Sequence, residues 1–154
     1  MKRQLALPFL LAALSLPALA DNYSLPKNVA FEEECTSCHI AYPPQMLDAH
    51  SWQHMMNGLA NHFGTDASID DRRRTAIADS LARNSGGRKP GRTVDARGNP
   101  LLRITETARF ERKHRDVTAA TWKRAAIKSP ANCAACHAQA AAGDYSERSI
   151  SIPK

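Results

Sequence analysis

Cys35-Thr36-Ser37-Cys38-His39 and Cys133-Ala134-Ala135-Cys136-His137 are two copies of one pattern, C-x-x-C-H, and together they use all 4 cysteines of the chain. The pattern is the attachment signature of a c-type haem. On the first turn of a helix, residues three and four apart share a face. Two sulfurs can then each bond a vinyl group of one porphyrin while the histidine presents its imidazole to the iron. Four cysteines in two pairs also fit disulfides or a structural zinc, and a single pair fits a redox dithiol. None of these accounts for a histidine recurring in the same place, and the dithiol reading lacks a βαβ context. The expectation is two covalently bound haem c groups, attached through Cys35, Cys38, Cys133 and Cys136, with His39 and His137 as proximal iron ligands.

What lies on the other side of each iron decides between electron transfer and small-molecule chemistry. The remaining histidines are His50, His54, His62 and His114, and the methionines beyond residue 20 are Met46, Met55 and Met56. Helical phase sorts those in a segment read as a helix from about residue 45 to 63. His62 falls at the margin of an apolar face with Met55, Leu59, Trp52, Phe63 and Met56, whereas His50 and His54 fall on the polar side. Their i, i+4 spacing would also suit a surface metal. His114 shares a stripe with Ile104, Thr107, Phe110 and Val117. A histidine on an apolar face is ordinarily a core residue, but a nearby haem in need of a ligand reverses that preference. His62 and His114 are therefore the candidate distal ligands, with Met55 and Met56 as rivals. Trp52 and Trp122 are expected to pack on the haems, and Arg103 and Arg109 are candidates to pair with haem propionates.

Four helices are expected to carry these residues. The first is the 45–63 segment, stopped by Gly64. The second follows Ser68 as N-cap, with Asp71 three residues on, and ends at Ser85-Gly86-Gly87. The third spans about 106–116 and the fourth 118–128. Ser129-Pro130 then launches a further helix bearing the second signature. No convincing alternating strand is present. The fold class is all-α, short helices packed around two haems. A chain of 154 residues with 43% apolar and 6% aromatic content excludes a large multidomain enzyme and promises a thin protein core. Two haems would add large apolar surfaces for it to pack against. The expected division is 21–84 as an N-terminal haem region, 85–102 as a basic Gly/Pro-rich linker and 103–154 as a C-terminal haem region. The stretch from Gly143 has no clear pattern and reads as a mobile tail.

Residues 1–20 read as a signal peptide: Lys2 and Arg3, an apolar run from Leu5 to Leu16, and a small-residue site at Ala18-Leu19-Ala20. Cleavage after Ala20 would export the chain to the periplasm, and the apolar run is too short to span a membrane. Its removal lowers the formal charge from +6 to +4. Residues 21–84 carry 5 basic and 9 acidic side chains, and 85–154 carry 14 and 6, so the protein is electrically two-sided. No aromatic-interleaved basic motif appears, and nucleic acid is not an expected partner. Docking to an acidic partner fits the asymmetry better. The expected function is an electron carrier rather than an enzyme. The alternative is a haem enzyme or gas binder with one displaceable distal ligand.

The stretches Cys35 to Pro44, Ser51-Trp52, His62-Phe63-Gly64, Arg103 to Thr107 with Phe110 and His114, and Ser129 to His137 jointly resemble the small bacterial dihaem cytochromes c. That resemblance implies bis-histidine ligation of both haems by His39, His137, His62 and His114. It implies an N-terminal region of unusual fold and a C-terminal region like a monohaem cytochrome c. It also implies partners such as a membrane cytochrome b and a small oxygen-binding haem protein. Arg109 stands before Phe110 where the family pattern suggests an aromatic.

Overall fold

The computed structural model describes residues 21–86 and 94–154, so the expected signal peptide, and residues 87–93 of the expected linker, lie outside the described residues. Among the described residues five short α-helices form: α1 Val29–Cys35, α2 Ala49–Asn57, α3 Asp71–Arg83, α4 Ala108–His114 and α5 Ala119–Trp122. Each begins at a residue whose side chain accepts from a first-turn N–H: Asn28, Asp48, Asp70, Thr107 and Thr118. Such caps satisfy donors that a short helix leaves open. Short 3₁₀ turns join the helices, and among the described residues β-pairing is limited to isolated bridges, with no sheet.

The main core is built where α2 lies against α3. Trp52, Met55 and Met56 of α2 meet Ile77 and Leu81 of α3, and Phe31 of α1, Ala41 and Leu47 complete the cluster. The Trp52 indole donates to the Pro44 carbonyl at 2.7 Å, fixing the chain just after the first signature. Across the outside of α3, Arg73 meets Glu33 at 3.0 Å and Glu34 at 2.6 Å. These pairs are exposed, so they orient α1 more than they stabilise it. Ile77 is 0% exposed and sits at the centre of this core. Its replacement by alanine should cost about 2–5 kcal/mol, measured as a lower urea midpoint with the haem spectrum intact.

The two ends of the described chain meet. Tyr23 donates its N–H to Gly143 at 2.9 Å, and Tyr145 donates to Asp21 at 2.9 Å. Gly143 makes the approach possible: its φ is +82°, and a Cβ there would lie 2.3 Å from the Tyr23 carbonyl oxygen. The region expected to be a mobile tail is instead fastened. Ser151 donates to Cys136 at 2.9 Å, Arg124 donates to Pro153 at 2.7 Å, and Ile150 bridges to His137.

Several expected helices are shorter than their sequence pattern. The 45–63 segment is helical only over Ala49–Asn57, because Pro43-Pro44 opens a 3₁₀ turn and Gly58 closes the helix. The helix expected over 106–116 spans Ala108–His114, and the one over 118–128 is four residues long. Beyond it the chain folds inward to bury Ile127 completely, and tertiary burial overrides helical propensity there. The second helix is capped by Asp70 rather than Ser68. Neither signature opens an α-helix: Cys35 is the last residue of α1, a helix the sequence reading missed, and Cys133–Ala135 is a 3₁₀ turn.

Candidate haem sites

Each signature opens into its own cleft. The first has a volume of about 560 Å³ and is walled by Cys35, Cys38, His39, Trp52, Met56 and His62, among others. The second, about 160 Å³, is walled by Phe110, His114, Trp122, Cys133, Cys136 and His137, among others. His50 and His54 lie outside both, on the exposed side of α2, with ring centroids 4.7 Å apart. Met55 and Met56 line the first cleft but are buried in the α2–α3 core as well.

Two imidazoles face one another in each cleft. His39 and His62 have ring centroids 6.2 Å apart, and His114 and His137 are also 6.2 Å apart. Imidazole nitrogens that share a metal each sit about 2 Å from it, which brings their ring centres to about 6 Å from each other. One member of each pair has its Nδ1 against a backbone carbonyl: His39 at 2.7 Å from Ile40 O, and His114 at 2.9 Å from Phe110 O. An Nδ1–H donated there leaves the Nε2 lone pair free for a metal. The other members, His62 and His137, have a buried Nδ1 with no hydrogen-bond partner. Burial lowers the pKa of both, helped by the facing imidazole of His39 or His114, and this favours the neutral, ligating form.

Aromatic rings hold these imidazoles. Tyr42 stacks on His39 at 4.8 Å, Phe110 on His114 at 4.0 Å, and Tyr145 lies 5.1 Å from His137. Tyr42 and Tyr145 were not anticipated as site residues. Tyr42 was visible only as part of the first signature's flank, and Tyr145 lay in the supposed tail. Arg109 stands where an aromatic was expected, and its guanidinium lies over the Tyr23 ring at 5.7 Å while pairing with Asp21. The N-terminal segment thus sets an aromatic ring against position 109, where α4 carries arginine.

The clefts share a wall, because Ile104 and Cys133 line both. The Tyr42 hydroxyl donates to Ala131 O at 2.7 Å, tying the flank of the first signature to the approach of the second. Cys35 and Cys133 are thiols whose burial pushes the pKa up to about 11. All four cysteines are unpaired, and among the described residues no group of three or more potential ligands could hold a metal ion. The disulfide and zinc readings therefore find no support in the geometry.

The pattern of the family described as dihaem cytochrome c matches residues 31–145. The chain belongs to the dihaem cytochrome c family. A dihaem cytochrome c from Rhodobacter sphaeroides is 38% identical with a TM-score of 0.68, covering 77% of this chain and 97% of that one. A second structure, of the protein purified from Rhodobacter sphaeroides, is 39% identical with a TM-score of 0.66, covering 79% and 100%. The dihaem cytochrome c of Shewanella baltica OS155 is 31% identical with a TM-score of 0.71, covering 84% and 95%. No curated protein matches. As a dihaem cytochrome c the protein carries two haems and serves electron transport. Among the described residues no helix is long and apolar enough to cross a membrane.

At the mouth of the second cleft, Asp21 is held by Arg109 and by Lys113 at 2.9 Å. Burial pushes its carboxyl up, but the Lys113 hydrogen bond and the Arg109 and Lys113 charges outweigh this and hold it below the usual carboxylate range. A depressed folded-state pKa stabilises the fold above the unfolded carboxyl value, and that contribution is lost as pH falls through the folded one. Asp21→Asn should therefore flatten the acid limb of a stability profile measured by urea unfolding between neutral pH and pH 3. An unchanged slope would show that the Asp21 cluster does not couple to folding.

Proposed function

We propose that this dihaem cytochrome c is a periplasmic electron carrier, with both irons held between two histidines. In this reading Cys35 and Cys38 would attach the first haem, with His39 and His62 holding its iron. Cys133 and Cys136 would attach the second, with His137 and His114. The observation that supports it is the equal 6.2 Å separation of two imidazole pairs, each opposite one C-x-x-C. The haem supplies one-electron chemistry at iron. In this reading the four histidines would hold the two irons, burial keeps His62 and His137 neutral, and Tyr42, Phe110, Trp122 and Tyr145 would shield the clefts from water. An iron held by two histidines would have no open position for substrate.

Residues 21–84 and 103–154 serve as the two haem regions joined by 85–102, although Leu102, Arg103 and Cys133 also reach into the wall of the first cleft. The shared wall supports electron exchange between haems within one small body. Arg103 lines the first cleft and Arg109 the second, and they are candidates to pair with haem propionates. Cleavage after Ala20 delivers the chain to the periplasm. A membrane cytochrome b as donor and a small oxygen-binding haem protein as acceptor fit a carrier of this kind.

The test is a visible spectrum of the purified protein, oxidised, reduced and with carbon monoxide, beside its intact mass and a redox titration. Two covalent haems, no carbon monoxide shift and two low-potential steps are expected, since histidine in place of methionine lowers the potential. A carbon monoxide shift in the unmodified protein would move the reading to a haem enzyme or gas binder.

A further inference from the structure

The His62–Thr65 hairpin carries a feature that ligation alone does not require. His62 donates its N–H to Thr65 at 2.8 Å and accepts from it at 3.1 Å, closing a two-residue loop of Phe63 and Gly64. Both loop residues have positive φ, +53° and +95°. Such a loop favours Asn, Asp or Gly at its first position, and a bulky side chain there is an outlier. Backbone strain of this kind persists where the surroundings over-determine it, and it clusters at functional sites. Ordinary core burial does not account for it here, because Phe63 is 45% exposed.

The ring of Phe63 lies in the wall of the first cleft with its centroid 4.9 Å from that of His62. The Arg103 guanidinium sits over its face at 4.0 Å. His39 and His114 each have a backbone carbonyl at Nδ1 to fix the ring, but the Nδ1 of His62 is buried with no such partner. The orientation of His62 must therefore come from packing, and Phe63 is the ring packed against it. We propose that Phe63 is a positioning residue for His62, and that Arg103, seated on its face, locks it in place. This rests on the reading of His62 as a distal ligand. The strained backbone delivers an aromatic side chain to an imidazole whose ligating geometry no Nδ1 hydrogen bond sets.

Phe63→Asn separates the two roles, because asparagine accepts the left-handed conformation while removing the ring. In the holo-protein this variant should fold and keep both haems. The first reduced haem should gain a carbon monoxide shift that the unmodified protein lacks, as expected when a group that orients a metal ligand is lost. The electron paramagnetic resonance signature of the first oxidised haem should shift while that of the second stays unchanged. Phe63→Tyr should restore the original behaviour, and Arg103→Gln should move it part-way. An unchanged signal with no carbon monoxide shift in Phe63→Asn would overturn the proposal, as would equal changes at both haems. His62→Ala is the separate control: if it leaves the first haem's spectrum unchanged, it is the ligand assignment of His62 that fails.

Discussion

Replacing His114 with alanine is expected to take the protein from no carbon monoxide binding to one equivalent per chain, with the first haem unaffected. His114 sits on the last turn of α4, its ring stacked on Phe110 at 4.0 Å and 5.8 Å from Trp122. Truncation would leave a largely apolar pocket in which His137, the proposed proximal ligand, is the remaining histidine of the cleft lining. Lys113, the nearest amine in sequence, is engaged by Asp21 at 2.9 Å and Glu147 at 3.3 Å. Small apolar cavities of this sort stay dry and admit small apolar ligands, so the open iron position should be filled by added carbon monoxide. Met46 also lines this cleft. If it were to replace His114, the second haem would rise in potential instead, since a thioether raises the potential of a c-type iron. An unaltered spectrum with an unaltered potential would remove His114 from the ligand set.

The second large effect concerns attachment. Cys133→Ala with Cys136→Ala should lower the intact mass by one haem, and Cys35→Ala with Cys38→Ala should do the same. The two double variants should differ in what happens to the haem that remains. Cys133 stands in the wall of both clefts, whereas Cys35 and Cys38 line only the first. Loss of the second haem therefore removes part of the first haem's surroundings. The surviving first haem should show a shifted potential and a looser fit, read by titration and by thermal unfolding followed at the Soret band. Retention of both haems by either double variant would refute covalent attachment at that signature. Two surviving haems with identical perturbation would refute the asymmetry of the wall.

The chemistry of this chain was legible before its fold, because thioether attachment needs five consecutive residues and is therefore written locally. The helices were less so. His62 was selected by its phase on a helix from 45 to 63, yet the helix ends at Asn57 and His62 sits at the start of a hairpin loop. The residue reaches the cleft by a different local geometry from the one inferred. His114, by contrast, is on the expected helix, and Phe110 stacks on it one turn away as the stripe implied. The second signature and the segment after Gly143 follow a cleft rather than their own propensity. Short 3₁₀ turns and single bridges there depend on partners far away in sequence, and no periodic pattern announces them. Tyr23 beside Arg109 shows the same limit, since the ring that meets this arginine comes from a segment 86 residues earlier in the chain.

The pairing of Asp21 and Tyr23 with Gly143 and Tyr145 bears on how the molecule is made. Tyr23 and its partner Gly143 are far apart in sequence. Closing so long a loop is entropically unfavourable and comes late. The floor of the first cleft, α2 against α3, is assembled from neighbouring segments and can form early. The rim of the second is completed only when Gly143 and Tyr145 reach Tyr23 and Asp21, so truncations before Gly143 should spare the first prosthetic-group pocket and cripple the second.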